Sequence, residues 1–299
     1  NEQHWWPPIM GCAQLGIKTG AYIDFYTEQT IPFFYVYDFL VCNTKRHYSA
    51  FSWHPQAVYI PWGTNTHVFS PQSFAPVTPG KLTFFHSAGL NPNRKGTDFL
   101  LQAFEKVQGP CHLLIHSQIS IDSYFPHMVP LIRKLKDQGR LTIREETVSA
   151  PGLYHLGDVY VYPSRLEGIG LTIAEAMSCG LPVLTTGHAP MNEFITPENG
   201  DTCGITRLYA RHDGYYWPLC LIDISNLTMK MQKYVDEADR IEEKKKKARE
   251  FALTHLNWMD NARSLPQHFR DFSIRSIKEK ENLFHQIQQF EQRRYPLYG

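Results

Sequence analysis

The sequence predicts an α/β protein built on a doubly wound parallel sheet, and three observations support this class. From about residue 81 onward, short β-rich runs alternate with segments of helical periodicity. The β-rich runs are almost continuously apolar, which is typical of parallel strands covered by helices on both faces. A chain of 299 residues that is 42% hydrophobic and 20% charged is also long enough to bury such a core.

The elements of this regular part follow one another in order. The predicted strands are LTFFHSA, CHLLIH, LTIREE, DVYVYPS, PVLTT and WPLCLI. The predicted helices are TDFLLQAFEKV, PHMVPLIRKLKD, a short helix after LTIREE, LTIAEAMS and a long helical segment after WPLCLI. Ligands of such sheets bind at the carboxyl ends of the strands, so a site is expected in the loops that follow them.

Residues 9–60 show the same rhythm more weakly. IMGCAQLGI predicts a helix ending near Gly16, a helix is expected through the forties, and TGAYIDF, FLVCN and AVYI predict strands. The stretch PWGTNTHVFSPQSFAPVTPG, rich in Pro, Ser and Thr, then breaks the pattern. We therefore predict a first, incomplete domain over 1–78, a second domain over 79–256, and C-terminal helices over 257–299 that return towards the first domain.

The charge balance argues against two classes of partner. Thirty basic and twenty-nine acidic residues give a net charge of about +1, so no global field attracts nucleic acid or an acidic membrane surface. No run approaches the roughly 18 apolar residues of a transmembrane helix, and no signal peptide is recognised. The six cysteines are widely spaced, without a C-x-x-C pair, and are expected to be reduced core residues. Together these features predict a cytoplasmic protein.

The stretch EGIGLTIAE places Glu167 and Glu175 at the junction of a predicted strand and a predicted helix. Their spacing is not distinctive, because Glu242 and Glu250 stand equally far apart in a lysine-rich segment. The context is distinctive, since a glycine turn that enters a helix presents unpaired amides and the positive end of the helix dipole to an anion. We expect the backbone of residues 168–171 to hold a phosphate and the two carboxylates to bind sugar hydroxyls on either side. The alternative is two ordinary acids near the start of a helix.

A basic loop lies in the stretch FFHSAGLNPNRKGTDFLLQAF. Arg94 and Lys95 immediately precede Gly96, between a predicted strand and a predicted helix. Exposed basic residues in a turn are common, and taken alone these two would be unremarkable. Beside the anion-binding turn at 168–171, however, two cations are suited to neutralising a diphosphate.

Other chemistries find little support in the sequence. His116 and Val148 lie at the ends of predicted strands and are candidates for contacting a base, although a single histidine at a strand end is more often structural. The fourteen histidines show no H-x-x-x-H or HExxH spacing on a predicted helix, so no metal site is expected. There is no G-x-G-x-x-G fingerprint, no G-x-S-x-G elbow and no Walker loop.

With these motifs in place, a family resemblance can be stated. The block DVYVYPSRLEGIGLTIAEAMSCGLPVLTT resembles the E-x7-E signature of retaining, nucleotide-sugar-dependent glycosyltransferases of the GT-B fold, family four. NPNRKGTDFLLQAF is similar to that family's basic K-G loop, IPWGTNTHVFSP to its IPxGxDxxxF stretch, and PMNEFITPENG to a later turn. The resemblance runs from about residue 35 to 265 and is strongest over 80–200.

The sequence departs from the family pattern in three places. The family usually has an arginine after the first glycine of the basic loop, where Gly89 or Leu90 stands here, so Arg94 would supply that charge. Asn65 replaces the usual aspartate of the interdomain stretch, which we interpret as a cap or turn change. The glycine-rich loop and histidine of the family's first domain are not found in residues 1–78.

The resemblance implies two Rossmann-like domains facing a cleft, with the nucleotide mainly on the second. It gives catalytic roles to Arg94, Lys95 and Glu167, with the two cations on the diphosphate and Glu167 on the transferred sugar. Glu175 would bind the ribose. The full predicted nucleotide-sugar site is Gly89, Arg94, Lys95, His116, Val148, Glu167, Gly168, Ile169, Gly170, Leu171 and Glu175. No cofactor and no metal are implied, because the nucleotide sugar is itself the donor substrate.

The expected activity is retaining, metal-independent transfer of a hexosyl group from a GDP-mannose or UDP-sugar type of donor. The acceptor would be a hydroxyl of a glycan, a lipid or a small molecule. The short first domain leaves open a non-catalytic, nucleotide-sugar-binding subunit that needs a partner chain for the acceptor side, and a homodimer is also open. A sugar-nucleotide epimerase or glycan phosphorylase on the same fold matches the E-x7-E block less well.

Overall fold

The structure is a computed structural model, which describes residues 6–72 and 79–294. Its strands are β1 (Gly20–Tyr22), β2 (Phe39–Cys42), β3 (Ala57–Tyr59), β4 (Leu82–Gly89), β5 (Cys111–Ser117), β6 (Leu141–Glu145), β7 (Val159–Tyr162), β8 (Val183–Thr186), β9 (Gly200–Cys203), β10 (Ile205–Tyr209) and β11 (Leu219–Ile222). Its α-helices are α1 (Pro7–Gln14), α2 (Lys45–Phe51), α3 (Thr97–Lys106), α4 (Ile121–Tyr124), α5 (Val129–Asp137), α6 (Leu171–Ser178), α7 (Ile224–Asp236), α8 (Ile241–His255), α9 (Trp258–Asn261), α10 (Leu265–Asp271) and α11 (Ile277–Arg294).

The chain divides into two compact units, each made of separate segments. Unit 1 comprises the described residues of Asn1–Pro61, Ala210–Trp217 and Asn261–Gly299, and unit 2 comprises those of Trp62–Tyr209 and Pro218–Asp260. The first boundary therefore lies at 61/62, whereas the sequence pattern placed it at 78/79. The reason lies in residues 62–69, whose backbone is held within unit 2: Thr64 forms a parallel bridge with Asn257, and Arg249 donates to the carbonyl of Phe69.

Unit 1 contains a parallel sheet with strand order β1-β2-β3, as the weak βα rhythm of residues 9–60 predicts. Thr44 caps α2 by accepting a hydrogen bond from the amide of His47. The core of the unit is aromatic, and α11 contributes Phe284 and Ile287 to it. The C-terminal helix is thus part of the same hydrophobic core as the first sixty residues.

Unit 2 contains a six-stranded parallel sheet with strand order β6-β5-β4-β7-β8-β9. The chain starts in the middle at β4, moves outward to β6 and then returns to β7 on the other side, which is doubly wound topology. Adjacent Phe84 and Phe85 of β4 point to opposite faces and belong to different core clusters. Helices α3, α5 and α7 cover one face, and α6 and α8 cover the other. The apolar runs predicted as buried parallel strands owe their character to this two-sided covering.

One predicted strand of the parallel sheet is wrong. WPLCLI forms β11, but β11 pairs antiparallel with β10 in a separate two-stranded sheet. The sixth parallel strand is β9, whose sequence GDTC carries no apolar signal. Gly200 allows this pairing, because a Cβ atom at that position would lie 2.2 Å from the carbonyl oxygen of Val183. The short helix expected after LTIREE is a 3-10 turn at Tyr154–Leu156.

Two smaller expectations are confirmed. The Asn65 side chain accepts hydrogen bonds from the amides of His67 and Val68, so it acts as the turn residue that the sequence suggested. All six cysteines are free thiols, and five of them are buried. Within residues 6–72 and 79–294, none of the helices combines the length and the apolar character needed to cross a membrane.

Candidate functional site

The candidate site lies where the strand order of unit 2 reverses. Strands β4 and β7 are neighbours at the centre of the sheet, and the chain leaves β4 in one direction and returns to β7 from the other. The loop after β4 carries Arg94 and Lys95, and the loop after β7 carries Glu167. The sheet therefore brings two loops distant in sequence to one edge, at the position where doubly wound proteins bind ligands.

Glu167 is the centre of the cluster. Its Oε1 atom accepts hydrogen bonds from Lys95 Nζ at 2.9 Å, the Tyr162 hydroxyl at 2.8 Å and the Ser164 hydroxyl at 2.6 Å. Its Oε2 atom accepts from Arg94 Nη1 at 3.0 Å. The side chain is only 7% exposed, and burial alone would raise its pKa. The charges of Lys95 and Arg94 and the Ser164 hydrogen bond outweigh burial and lower the pKa, so Glu167 is a carboxylate at neutral pH.

The two cations differ in how far they are buried. The Lys95 side chain is 14% exposed, donates to both Glu167 and the Tyr162 hydroxyl, and lies 4.9 Å from the centre of the tyrosine ring. Burial lowers the pKa of Lys95, and the Glu167 charge opposes that effect only in part. Arg94 is 38% exposed and also donates to the carbonyl of Leu166. A buried ammonium and a half-exposed guanidinium thus share one carboxylate.

The basic loop is fixed against the β7 loop by close backbone contacts. Gly96 has a φ of +74°, and a Cβ atom there would lie 2.0 Å from the carbonyl oxygen of Pro163. The Arg165 amide donates to the carbonyl of Arg94 at 2.8 Å, and the Ser164 hydroxyl oxygen lies 3.0 Å from the same carbonyl oxygen. Since only glycine tolerates that approach with a positive φ, Gly96 decides where the two cations lie.

A buried ion pair and a buried histidine support the same junction. Arg165 donates to both carboxylate oxygens of Asp98, at 2.8 and 2.7 Å, and its guanidinium lies 3.8 Å from the centre of the Phe99 ring. His86 of β4 joins the carbonyl of Val161 to the Thr97 hydroxyl, both at 2.8 Å. Burial lowers the pKa of His86 to about 4, so it is a neutral structural link between β7 and the start of α3.

The turn that follows Glu167 is suited to binding an anion. Gly170, with a φ of +81°, is the N-cap residue of α6 and carries no side chain to close the helix terminus. Within the described ranges, the amides of residues 168–172 have no backbone or side-chain acceptor, and the first bonded amide is that of Ile173. Helix α6 thus presents free N–H groups and its positive dipole end beside the Arg94 and Lys95 pair.

Glu175 lies one turn into α6 and belongs to the same electrostatic group. Its Oε2 atom accepts a hydrogen bond of 2.6 Å from the Tyr154 hydroxyl. Burial raises the pKa of Glu175, while the Tyr154 hydrogen bond and the Lys95 charge act in the opposite direction. Glu167 and Glu175 therefore have pKa values shifted to opposite sides of the ordinary value, because four donors contact the first carboxylate and one donor contacts the second.

This arrangement can be compared with known proteins. A family model described as "Glycosyl transferases group 1" matches residues 81–212, which contain the basic loop, the glycine turn and both glutamates. Residues 81–212 are therefore similar to glycosyl transferases group 1. We call this stretch the group 1 domain.

The curated relatives extend the similarity beyond the group 1 domain. A GDP-mannose-dependent monoacylated alpha-(1-6)-phosphatidylinositol monomannoside mannosyltransferase of Corynebacterium glutamicum is 28% identical over 219 residues, which cover 65% of this chain and 52% of that protein. A probable sucrose-phosphate synthase of Thermosipho melanesiensis is 31% identical over 148 residues, 47% of this chain and 34% of that protein. The chain therefore spans about half or less of the length of these curated relatives.

Solved structures confirm the fold class. A glycosyltransferase from Rickettsia africae superposes with a TM-score of 0.74 at 16% identity, covering 91% of this chain and 75% of the other. The Anabaena protein HepE, in complex with UDP and glucose, superposes with a TM-score of 0.67 at 13% identity, covering 88% and 74%. The fold is that of the GT-B glycosyltransferases, in which α/β units with parallel sheets are combined.

The remaining predicted residues of the group 1 domain lie further along the same sheet edge. Gly89 ends β4 and pairs with Ser117 at the end of β5. His116 precedes Ser117, is buried, and contacts the carbonyl of Glu146 through Nε2 at 2.9 Å. Val148 lies in the loop after β6 and is half-buried. These three share the edge but not the hydrogen-bond network of Glu167, and their contacts with a nucleotide stay predictions.

Three residues of the cluster were not predicted from the sequence. Tyr162 and Ser164 donate to Glu167, and Tyr154 donates to Glu175. Tyr162 reads as one more apolar strand residue in DVYVYPS, and Tyr154 lies in a segment without a motif. A usable signal was available for Ser164, because a serine at the end of a predicted strand and three residues before an acid is well placed to donate to it.

Chemically, the site is suited to binding a phosphorylated ligand. It combines two fixed cations, a row of free amides at a helix terminus and a second carboxylate that accepts hydrogen bonds. In the part of the chain that the structure describes, no group of three or more His, Cys, Asp or Glu side chains is arranged to hold a metal ion.

Proposed function

We propose that this protein transfers a hexosyl group from a nucleoside-diphosphate sugar to an acceptor hydroxyl. The observation that supports the proposal is the cluster of Arg94, Lys95 and Glu167 beside the free amides of α6, at the strand-order reversal of the group 1 domain. The sequence similarity to transferases of nucleotide sugars supports the same class. The diphosphate lies against the amides and the two cations in this proposal.

The chemistry of the leaving group explains the use of these residues. When the bond between the anomeric carbon and the diphosphate oxygen breaks, positive charge develops on the sugar and negative charge on the departing phosphate. Fixed donors aimed at that phosphate stabilise the transition state more than the ground state. Arg94, Lys95 and the α6 amides provide such donors. The proton of the acceptor hydroxyl passes to the departing phosphate oxygen as the new glycosidic bond forms.

Glu167 and Glu175 have different roles in the proposal. Glu167 holds the two cations in place. Its carboxylate is already hydrogen-bonded to four donors when it contacts the transferred sugar. Such a carboxylate is a poor nucleophile, so we assign retention of configuration to attack by the acceptor on the face from which the diphosphate leaves. Glu175 accepts hydrogen bonds from the ribose hydroxyls through the oxygen that Tyr154 does not occupy.

The donor to test first is GDP-mannose. The Corynebacterium relative, which aligns with 65% of this chain, is named for its dependence on this donor. UDP-glucose is the natural second choice, because the fold is shared with HepE, whose structure contains UDP and glucose. Each donor is to be assayed with and without EDTA, since cations and amides alone are proposed to stabilise the leaving group.

The first prediction concerns the two cations. Arg94→Ala and Lys95→Ala should each lower the transfer rate by roughly 10²- to 10³-fold, the usual effect of removing one preorganised donor to a developing anion. Lys134→Ala is the matched control, because Lys134 is exposed and pairs with Glu105 on the surface of the same unit. The measurement is release of nucleoside diphosphate from the donor, with circular dichroism to verify folding.

The possible outcomes separate transfer from binding. Rates in both alanine variants equal to those of the wild type would overturn the proposed role of the cations. A wild-type chain that binds nucleotides tightly but transfers sugar to no acceptor would instead favour a nucleotide-sugar-binding subunit that needs a partner chain.

A further inference from the structure

The ammonium group of Lys95 is held by two acceptors on one side. Its Nζ atom donates to Glu167 Oε1 and to the hydroxyl oxygen of Tyr162. That hydroxyl in turn donates to the same Glu167 oxygen at 2.8 Å. The three groups form a closed triangle, in which the lysine uses two of its three N–H bonds.

The triangle is buried, so water cannot take the place of a missing member. Tyr162 is 0% exposed, and Ser164 takes a further position on the same carboxylate oxygen at 2.6 Å. A lysine stem is flexible, with several rotatable bonds, and one contact alone leaves its ammonium group free to rotate. A second buried acceptor removes that freedom.

The neighbouring Tyr160 shows that a buried tyrosine hydroxyl on β7 does not by itself fix Lys95. Tyr160 is also 0% exposed and stacks on Tyr162 with ring centres 5.4 Å apart. Within the described residues, its hydroxyl makes no hydrogen bond to Lys95 or to Glu167. Both tyrosines lie on β7, are buried and pack against other aromatic rings. They differ because Tyr162 contacts Lys95 and Glu167.

We propose that Tyr162 is a positioning residue that, together with Glu167, fixes the Lys95 ammonium so that its third N–H points at the terminal phosphate of the nucleoside diphosphate. The inference rests on the proposed function, since it requires a diphosphate at this site. It gives Tyr162 no contact with the substrate. The hydroxyl acts through Lys95, and its effect is confined to the phosphate that Lys95 contacts.

A selective effect on one phosphate follows from this geometry. Loss of the Tyr162 hydroxyl should weaken binding of a nucleoside diphosphate but leave a monophosphate unaffected, because the monophosphate lacks the group that Lys95 binds. Loss of the hydroxyl also removes one partner of the charged ammonium. The pKa of Lys95, already lowered by burial, should fall further, and diphosphate binding should be lost at a lower pH than in the wild type.

The other charged and titratable groups that face Lys95 do not obscure this pH effect. Besides the guanidinium of Arg94, these groups are Glu167 and Glu175, which are ionised on the alkaline side, and His86, which is neutral there. The pKa of Tyr162 is raised well above 10 by burial and by the Glu167 charge, so the hydroxyl keeps its proton in the same range.

The test is calorimetric titration of the full chain with GDP and GMP, and with UDP and UMP, between pH 6 and 10. Tyr162→Phe should weaken diphosphate binding about tenfold, equivalent to about 1.4 kcal/mol, and leave monophosphate binding within twofold of the wild type. Tyr160→Phe is the matched control and should behave as the wild type with both ligands. Thermal unfolding of each variant verifies that it folds.

A double-mutant cycle decides whether Tyr162 acts through Lys95. In a Lys95→Met background, Tyr162→Phe should cause little further loss of diphosphate affinity, since its target is gone. Full additivity in the cycle, equal losses for di- and monophosphates, or an unchanged diphosphate affinity in Tyr162→Phe would each overturn the positioning role. A wild-type chain that binds no nucleoside diphosphate would overturn the proposed function itself, and this inference with it.

Discussion

Glu167 and Glu175 show how surroundings decide the chemistry of an acid. Both are glutamates of one short stretch, yet the pKa of the first is lowered and that of the second is raised. Burial raises both, and the difference comes from two cations and two hydroxyls on Glu167 against a single hydroxyl on Glu175. Glu242 and Glu250, at the same spacing in α8, are exposed residues with surface lysine partners. The two pairs of glutamates therefore have the same spacing in sequence, and they differ in the burial of their carboxylates and in the donors that contact them.

A prediction at the residue scale concerns the hydroxyl of Tyr154. Tyr154→Phe removes the donor to Glu175 and leaves the effect of burial, so the pKa of Glu175 should rise further. If the ionised Glu175 binds the ribose hydroxyls, nucleotide affinity in the variant should begin to fall at a higher pH on the acid side than in the wild type. The check is GDP binding from pH 4 to 8, measured in parallel with 2′,3′-dideoxy-GDP. The dideoxy ligand should lack this acid limb in both proteins, and superimposable wild-type and variant curves for GDP would contradict the role of Tyr154.

At the scale of elements, the strands with strong local signals were predictable and those set by tertiary contacts were not. LTFFHSA and DVYVYPS are apolar because both faces of β4 and β7 are covered, so their character is visible in sequence. β9 is a strand because Gly200 fits against the backbone of β8. The polar and small residues of its sequence, GDTC, do not predict this contact. The same limit applies to the site. The loops bearing Arg94, Lys95 and Glu167 were predictable from their positions after strands, whereas their contacts with Tyr162 and Tyr154 depend on side-chain packing.

A prediction at the element scale compares two glycines of the basic loop region. Gly89 and Gly96 both have positive φ, +56° and +74°, but only Gly96 would clash, with the Pro163 carbonyl oxygen 2.0 Å from a Cβ atom. Gly89→Ala should cost about 1–2 kcal/mol of unfolding free energy, the strain of a left-handed residue alone. Gly96→Ala should cost clearly more and should also weaken nucleotide binding, because the loop bearing Arg94 and Lys95 has to move. Denaturant unfolding and nucleotide titration of the two variants check this, and equal effects would argue against the clash.

For the whole molecule, the important feature is that each unit is assembled from distant segments. Unit 1 takes residues from the start, the middle and the end of the chain. A buried ion pair contributes to this assembly: Lys280 of α11 lies 2.7 Å from Asp38, and the two side chains are 1% and 0% exposed. Asp38 also accepts hydrogen bonds from the amides of Thr19 and Arg275. The sequence could not predict this pair, because the two residues are 242 positions apart and no motif marks either of them.

Lys280→Met tests this pair and should lower the unfolding free energy by about 3–5 kcal/mol, the usual cost of leaving one partner of a buried ion pair uncompensated. Lys278→Met is the matched control, since Lys278 is an exposed residue of the same helix, and should change stability by less than about 0.5 kcal/mol.

The pH dependence of stability provides a second readout for the Lys280→Met variant. Burial would raise the pKa of Asp38, but the Arg275 amide, Lys280 and the Thr19 amide together lower it below its ordinary value of 3.8. The stability that this carboxylate contributes is thus fully present above pH 3.8 and is lost as the pH falls through the lowered value. The loss on acidification should be smaller in Lys280→Met, because one of the groups that lower the pKa is gone. Denaturant titrations at pH 7 and between pH 2 and 5 measure both effects, and a Lys280→Met protein as stable as Lys278→Met would show that the pair does not hold the C-terminal helix in unit 1.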